Sequence, residues 1–277
     1  MPSTSPDAPV QVDRRAGFWF ARLNRPDKRN ALSEPILDSL AGLCGEVAAD
    51  RDARALVLWG AGGHFSAGGD FSRFQQMMAT PAPAGEDPIA RLNRSFGAVL
   101  EAIATLPVPT LGVVRGSALG GGLGLAAALD RVIACEDAVF AMPEVTLGIA
   151  PAQIAPFVVR RIGAARAYWL MATAQRLDAH AALAAGLVDC VASAGDLSSV
   201  VMQDIRALCG AEPAALRATR RLAIRSRDLP LGEALDAAAR DFATLLRSGT
   251  PAEGMAASRE RRAPQWQAPV PTLPEFT

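Results

Sequence analysis

The sequence has few of the residues that usually hold metal ions or form cross-links. Its 277 residues include four widely spaced cysteines, with no C-x-x-C pair, and two histidines. A metal site and a disulfide framework are therefore both unexpected. No stretch of about 20 uninterrupted apolar residues occurs, so no membrane span is expected. The first fifteen residues also lack the apolar region of a secretory signal. These absences predict a soluble, cytoplasmic protein.

An excess of charge is absent too, because 28 basic residues balance 28 acidic ones. Neither a nucleic acid nor a charged membrane surface is expected as a partner. Lys28 is the only lysine, and no G-x-x-x-x-G-K-[ST] loop occurs, which excludes a P-loop nucleotide triphosphatase. A G-x-S-x-G signature is missing as well, and we expect His64 and His180 to be structural or exposed.

Strand-like and helix-like segments alternate over the first two thirds of the chain, and helical patterns dominate the rest. The predicted strands are residues 17–25, 53–61, 110–118, 131–142 (two strands around a turn) and 186–193. The predicted helices are residues 33–50, 89–107 and most of the chain after about 152, with a Pro/Gly-rich surface loop at 80–88. This pattern indicates an α/β core with a helical C-terminal extension. We divide the chain into a flexible tail (1–12), a core (13–205) and a helical C-terminal region (206–277).

Two predicted strands end in glycine-rich turns that lead into helices. The turn after residues 53–61 reads "GGHFSAGGD", and the turn after residues 110–118 reads "LGGGLG". Glycine lets the backbone approach a ligand closely, and the first amides of a helix are free to donate. Two such turns side by side would form a two-donor pocket for a developing oxyanion. The alternative is that the glycines only permit tight packing of strand against helix.

A single acid stands in the apolar stretch "AMPEVTLGIAPAQIAPF", residues 141–157. Glu144 is the only ionisable side chain there, so it either turns toward solvent or lies desolvated. Desolvation would raise the pKa of its carboxyl and suit it to proton transfer near neutral pH. Glu144 is therefore the candidate acid–base group.

Six stretches, in this order and spacing, resemble the enoyl-CoA hydratase/isomerase (crotonase) family over roughly residues 10–266. They read "LNRPDKRNALS", "HFSAGGDF", "GSALGGGLGLAAALD", "AMPEVTLGIAP", "AARAYWLMATAQRLDAHAALAAGLVD" and "PAEGMAASRERRAPQW". The resemblance implies a crotonase-like spiral of ββα units with a C-terminal helical trimerisation region, and trimers that often pair into hexamers. It also implies acyl-CoA thioester substrates and no cofactor beyond the coenzyme A of the substrate.

The resemblance also assigns roles to individual residues. The oxyanion donors would be the backbone amides of Gly69 and Gly121, with Glu144 as the acid–base group. The residues implied to border the substrate and its coenzyme A are Lys28, Arg29, Ala67, Gly68 and Gly120. Within that set, the backbone of Ala67 would face the adenine, and Lys28 could meet a phosphate.

One position departs from the family pattern. Typical hydratases of the family carry a second glutamate three residues after the middle glycine of the triplet, and this chain has Gly124 there. Four interpretations stay open: a hydratase working with Glu144 alone, a Δ3-Δ2-enoyl-CoA isomerase, an acyl-CoA decarboxylase or hydrolase, and a catalytically silent member. The stretches "GGGLGL" and "EVTLGIAPAQIAPFVVRRIG" resemble hydratases of branched glutaconyl thioesters, such as 3-methylglutaconyl-CoA and isohexenylglutaconyl-CoA. The sequence therefore favours a hydratase of that type.

Overall fold

The computed structural model describes residues 5–70, 72–78, 85 and 87–277. The strands within these residues are β1 (Val10–Arg15), β2 (Phe18–Leu23), β3 (Ala55–Gly60), β4 (Thr110–Val114), β5 (Ser117–Leu119), β6 (Arg131–Cys135), β7 (Val139–Ala141), β8 (Leu177–Asp178) and β9 (Cys190–Ala192). The helices are α1 (Glu34–Ala49), α2 (Ser72–Met78), α3 (Pro88–Ala104), α4 (Gly121–Ala127), α5 (Ala155–Ile162), α6 (Ala164–Thr173), α7 (Ala179–Ala185), α8 (Leu197–Cys209), α9 (Pro213–Asp228), α10 (Leu231–Arg247) and α11 (Thr250–Glu260). Two 3₁₀ turns cover Pro26–Lys28 and Glu144–Leu147. The predicted loop at 80–88 lies mostly outside the described residues.

The strands form two sheets, and successive ββα units contribute to both of them. The larger sheet has the order β1-β2-β3-β4-β6-β9, and the smaller one β5-β7-β8. β4 joins the larger sheet, β5 the smaller one, and α4 follows; β6 and β7 repeat this division. Apart from the antiparallel β1–β2 and β7–β8 pairs, the neighbouring strands are parallel. The predicted α/β core with a helical C-terminal region is confirmed.

The larger sheet is buried on both faces, which explains the uninterrupted apolar run of β3. Leu56 and Leu58 pack into one core with residues of α1, α3 and α4. Val57 and Trp59 point the other way, into a second core covered by α8 and by the end of the chain. There the ring of Phe276 meets Trp59 edge-on, with 5.4 Å between the ring centroids. A strand buried on both faces needs apolar side chains at every position.

The predicted tail at 1–12 is wrong over its last residues, because β1 begins at Val10. Val10 pairs with Leu23 and Val12 with Ala21 in antiparallel register, and both valines are buried. The alternation of apolar and polar residues in "VQVDRR" is the pattern of an edge strand with one covered face. Residues 10–12 therefore belong to the sheet and not to a flexible tail.

Two other predicted boundaries also differ from the structure. The single strand predicted at 110–118 is two strands, since the chain turns at Arg115 and Gly116 and passes from the larger sheet to the smaller one. The predicted junction between 205 and 206 falls inside α8 (Leu197–Cys209). Within the part of the chain that the structure describes, no helix is both long and apolar enough to cross a membrane.

A buried arginine at the start of β3 ties the C-terminal region to the core. Arg54 is only 7% exposed. Its guanidinium donates to the carbonyl oxygens of Leu208 and Cys209 in the last turn of α8, to that of Ala211 just after it, and to that of Trp266 near the end of the chain. Carbonyls that follow a helix lack partners within it, so this cation satisfies groups that would otherwise be buried unpaired.

Replacing Arg54 tests how far this cation holds the two regions together. We expect Arg54→Met to lower the free energy of unfolding by about 3 kcal/mol, because several buried carbonyls lose a charged donor. Urea unfolding followed by circular dichroism measures this. Arg51→Met, at an exposed residue nearby, serves as the control and should change the value little. Equal losses in the two variants would contradict the role of Arg54.

Candidate active site

The two glycine-rich turns predicted from the sequence lie side by side, joined by backbone hydrogen bonds. The amide of Ser66 donates to the carbonyl of Ser117 at 2.8 Å, and Leu119 donates to Ser66 at 3.0 Å. On the opposite side, the amide of Leu32 donates to the carbonyl of Gly68 at 2.7 Å. The segment 66–69 is therefore held by isolated β-bridges between β5 and the residues that precede α1.

Glycine allows these turns to approach more closely than side chains would permit. Gly68 has φ +98°, and a Cβ added to it would lie 2.6 Å from the carbonyl oxygen of Leu119. A Cβ added to Gly121 would lie 3.4 Å from the amide nitrogen of Gly69. Among the described residues, no acceptor pairs with the amide of Gly69 or of Gly121. Two free backbone donors from separate turns are thus brought to one place.

Glu144 lies beside these amides, at the start of the second 3₁₀ turn. Its Oε1 is 2.6 Å from the point that a Cβ on Gly120 would occupy, so the carboxyl rests against the backbone of the glycine triplet. The residue is only 7% exposed, and its Oε2 has no hydrogen-bond partner in the described part of the chain. Burial raises the pKa of the Glu144 carboxyl, and a bond with its own backbone amide lowers it by less. A carboxyl in this state suits proton transfer near neutral pH.

Apolar side chains line the rest of this face. Phe96 Cζ and Leu32 Cδ1 lie 3.2 and 3.3 Å from the point that a Cβ on Gly121 would occupy. Ile154 occupies the equivalent place at Gly124, with Cγ2 at 2.2 Å and Cβ at 2.6 Å. Ile154 therefore fills the space into which a side chain at position 124 would point. None of these three side chains was identified from the sequence, which marked Gly124 only as the place of a missing glutamate.

The sequence of the chain matches a known group of enzymes. A family model described as enoyl-CoA hydratase/isomerase matches residues 13–269. The chain belongs to the enoyl-CoA hydratase/isomerase family. The probable enoyl-CoA hydratase echA8 of Mycobacterium tuberculosis is 31% identical over 258 residues, covering 93% of this chain and 96% of that protein.

Solved structures agree with the family assignment. An enoyl-CoA hydratase/isomerase from Marinobacter aquaeolei superposes with a TM-score of 0.89 at 36% identity, over 93% of this chain and 98% of that one. Pseudomonas aeruginosa AtuE superposes with a TM-score of 0.88 at 41% identity, over 93% and 99% of the two chains. The protein is thus an enzyme of the enoyl-CoA hydratase/isomerase family with a crotonase-type fold.

The residues predicted to border coenzyme A lie at the edge of the same site. The amide of Ala67 donates to the carbonyl of Arg29 at 2.8 Å, which places both next to the glycine turn. Lys28 and Arg29 are exposed at the end of the first 3₁₀ turn. Arg25 and Asp70, 2.7 Å apart, also connect this turn to the glycine loop. The roles of these residues in binding coenzyme A stay predictions from the family resemblance.

The two histidines lie where the sequence placed them, outside the acid–base site. His64 Nδ1 accepts from the amide of Ser117 at 3.1 Å, and it helps to hold the turn before β5. His180 is exposed on α7. In the described residues, no group of three histidine, cysteine or acidic side chains could hold a metal ion.

The buried carboxyl gives folding a pH dependence with a definite sign. Because burial raises the pKa of Glu144, the folded state disfavours the charge above that raised pKa, whereas at low pH the group is neutral whether folded or not. We expect Glu144→Gln to raise the melting temperature at pH 8 and to change it little at pH 4. Differential scanning calorimetry measures both. Glu136→Gln, at an exposed residue, is the control; the same pattern in that variant would contradict the assignment.

Proposed function

We propose that the protein is an enoyl-CoA hydratase that adds water across the C2=C3 bond of a 2-enoyl-CoA thioester. One observation carries the proposal: the unpaired amides of Gly69 and Gly121 lie close together, and the buried acid Glu144 rests against the adjoining Gly120. Two such donors stabilise negative charge on a thioester oxygen, and a single donor of this kind contributes about 3 kcal/mol to lowering a barrier. The relative from Mycobacterium tuberculosis is named a probable enoyl-CoA hydratase, and the protein from Marinobacter aquaeolei is named an enoyl-CoA hydratase/isomerase.

The chemistry follows from these groups. Glu144 takes a proton from water while the oxygen of that water bonds to C3. The electron pair of the double bond moves toward the thioester, and the resulting enolate oxygen accepts from the amides of Gly69 and Gly121. Glu144 then returns the proton to C2, and the amides release a neutral 3-hydroxyacyl thioester. One carboxyl performs both transfers, so water and proton are delivered on the same face.

The proposed substrate carries a branch at C3, of the 3-methylglutaconyl-CoA or isohexenylglutaconyl-CoA type. The similarity of the segment around Gly124 and Glu144 to branched glutaconyl-CoA hydratases supports this. Coenzyme A enters as part of the substrate, with Lys28, Arg29 and Ala67 along its path, and Gly68 and Gly120 near the acyl end. No other cofactor takes part in the proposed reaction.

A Δ3-Δ2-enoyl-CoA isomerase is the second candidate, and the neighbourhood of Gly124 favours it. Ile154 fills the space of a second carboxylate, and moving a double bond needs only one base. Glu144 would remove a proton from C2 of a 3-enoyl-CoA and return it to C4, with the same amides holding the enolate. The two reactions differ in whether the oxygen of water enters the product.

Turnover in water labelled with heavy oxygen tests these alternatives. We expect label in the product from 3-methylglutaconyl-CoA or crotonyl-CoA, measured by mass spectrometry. A shifted double bond without label, formed from a 3-enoyl-CoA, would identify the isomerase instead. Absence of any reaction with all three thioesters would contradict both.

Substitutions of Glu144 and Gly121 test whether these residues take part in the reaction. We expect Glu144→Gln to lower kcat by about 10²-fold or more. Gly121→Ala should lower kcat by about 10²- to 10³-fold, since its methyl group would enter the oxyanion site. Glu136→Gln is the control and should keep full activity. Full activity in Glu144→Gln would remove Glu144 from the mechanism.

We also propose that the enzyme works in the cytoplasm as a homotrimer or a hexamer, as the family resemblance implies. An exposed apolar stripe on α10 supports the assembly. Its members recur at helical spacing on one face: Leu231, Leu235, Phe242 and Leu246. Such a stripe on a folded chain marks a surface that another protein surface covers.

The mass in solution tests the assembly. We expect light scattering after size-exclusion chromatography to give three or six chains per particle. Leu235→Asp should shift the particles toward monomers, because it places a charge in the apolar stripe. Gln203→Asp, at an exposed polar position on α8, should leave the mass unchanged. A monomeric wild-type protein at micromolar concentration would contradict the proposal.

A further inference from the structure

Three glycines at the start of α4 present one bare helix face to three different side chains. Gly121 and Gly124 are the first and fourth residues of α4, and Gly120 immediately precedes it. Residues three and four apart lie on the same side of a helix. Glu144 lies over Gly120, Phe96 over Gly121 and Ile154 over Gly124. Acid, aromatic ring and branched aliphatic chain thus come from separate elements and meet on this face.

Ile154 is held firmly in its place. It is 3% exposed, and its carbonyl accepts from the amides of Phe157 and Val158 at the start of α5. The residue before it, Gln153, fits a second glycine gap, with its Oε1 1.9 Å from the point that a Cβ on Gly97 of α3 would occupy. Two consecutive side chains therefore occupy gaps on two helices, which fixes the segment between the 3₁₀ turn and α5.

The position of Ile154 relative to the free amides determines which part of a bound acyl group would contact its side chain. A thioester oxygen at about 3 Å from the amides of Gly69 and Gly121 fixes C1, and C2 and C3 follow within two bonds. Gly124 lies roughly one helical turn, about 5.4 Å, beyond Gly120 and the Glu144 carboxyl. A substituent on C3 that points away from Glu144 therefore runs toward Ile154.

We propose that Ile154, seated on Gly124, is a specificity-determining residue that limits the size of the substituent accepted at C3. The inference rests on the proposed function, because it takes the acyl group to be bound through the two amides. The side chain is hydrocarbon, so it favours an aliphatic branch and offers no group to hold a second water. It also leaves no room for a side chain at Gly124, since even a methyl group there would collide with Ile154 Cγ2.

Binding of two unreactive thioesters tests the proposal without turnover. The probes are 3-methylbutanoyl-CoA and 3-propylhexanoyl-CoA, each with two identical chains on C3, so either orientation presents the same group to Ile154. We expect the wild-type enzyme to bind the propyl compound more weakly than the methyl compound, by calorimetry. Ile154→Ala removes Cγ1, Cγ2 and Cδ1, and it should change the ratio of the two Kd values about tenfold in favour of the propyl compound.

Two further variants complete the test. Ile205→Ala removes the same atoms from a fully buried isoleucine of the second core, and it should keep the wild-type ratio. Ile154→Val removes one methyl group, should remain folded, and should shift the ratio in the same direction by less. A wild-type ratio in folded Ile154→Ala or, should that variant not fold, in Ile154→Val would overturn the proposal, as would an equal shift in Ile205→Ala.

The outcomes separate this proposal from the proposed function. A shifted ratio in an enzyme that does not hydrate enoyl thioesters would support the role of Ile154 and overturn the hydratase. Hydration of enoyl thioesters together with an unshifted ratio of Kd values would support the hydratase and overturn the role of Ile154. Failure of both thioesters to bind the wild-type enzyme would overturn both.

Discussion

The close approach of two backbone turns is the constraint on which the site depends. The turn at 66–69 and the start of α4 come together because Gly68 and Gly121 have no side chains, and a Cβ on Gly68 would lie 2.6 Å from the carbonyl oxygen of Leu119. The pairing of Ser66 with β5 holds that approach through backbone hydrogen bonds. The donors are therefore preorganised by the sheet, which is the condition under which such donors lower a barrier most.

The burial of Glu144 beside these amides lowers the stability of the folded protein. A buried carboxyl with an unpartnered oxygen destabilises the folded state whenever it is charged. The same burial raises the pKa of Glu144, which suits the carboxyl to both accept and return a proton in the proposed reaction. The two cores on either side of the larger sheet and the hydrogen bonds of Arg54 stabilise the fold and offset this loss of stability. The destabilising group and the stabilising ones thus lie in different parts of the molecule.

The sequence predicted those features that depend on neighbouring residues. The strand–turn–helix patterns at 53–70 and 110–127 indicated two donor turns, and the isolation of Glu144 in an apolar stretch indicated its burial. Features set by distant residues could not be predicted in this way. Gly124 showed that a glutamate is missing, but the residue that packs against it, Ile154, lies thirty positions further along the chain, and no local pattern connects them. The strand β1 was not predicted from the sequence because β1 is stabilised mainly by its pairing with β2 and only weakly by the pattern of its own six residues.

The division of the site between elements suggests how its chemistry is set. The glycine turns supply the amides, which any enolate of a thioester would use. The segment 144–154 supplies both the acid over Gly120 and the isoleucine over Gly124. A change in this one segment would therefore alter both the acid against Gly120 and the side chain against Gly124, while the amides of Gly69 and Gly121 stay where the sheet holds them. In the proposed hydration, Glu144 alone would handle both the water and the proton from one side of the acyl chain, so the stereochemistry as well as the choice of substrate would depend on this segment.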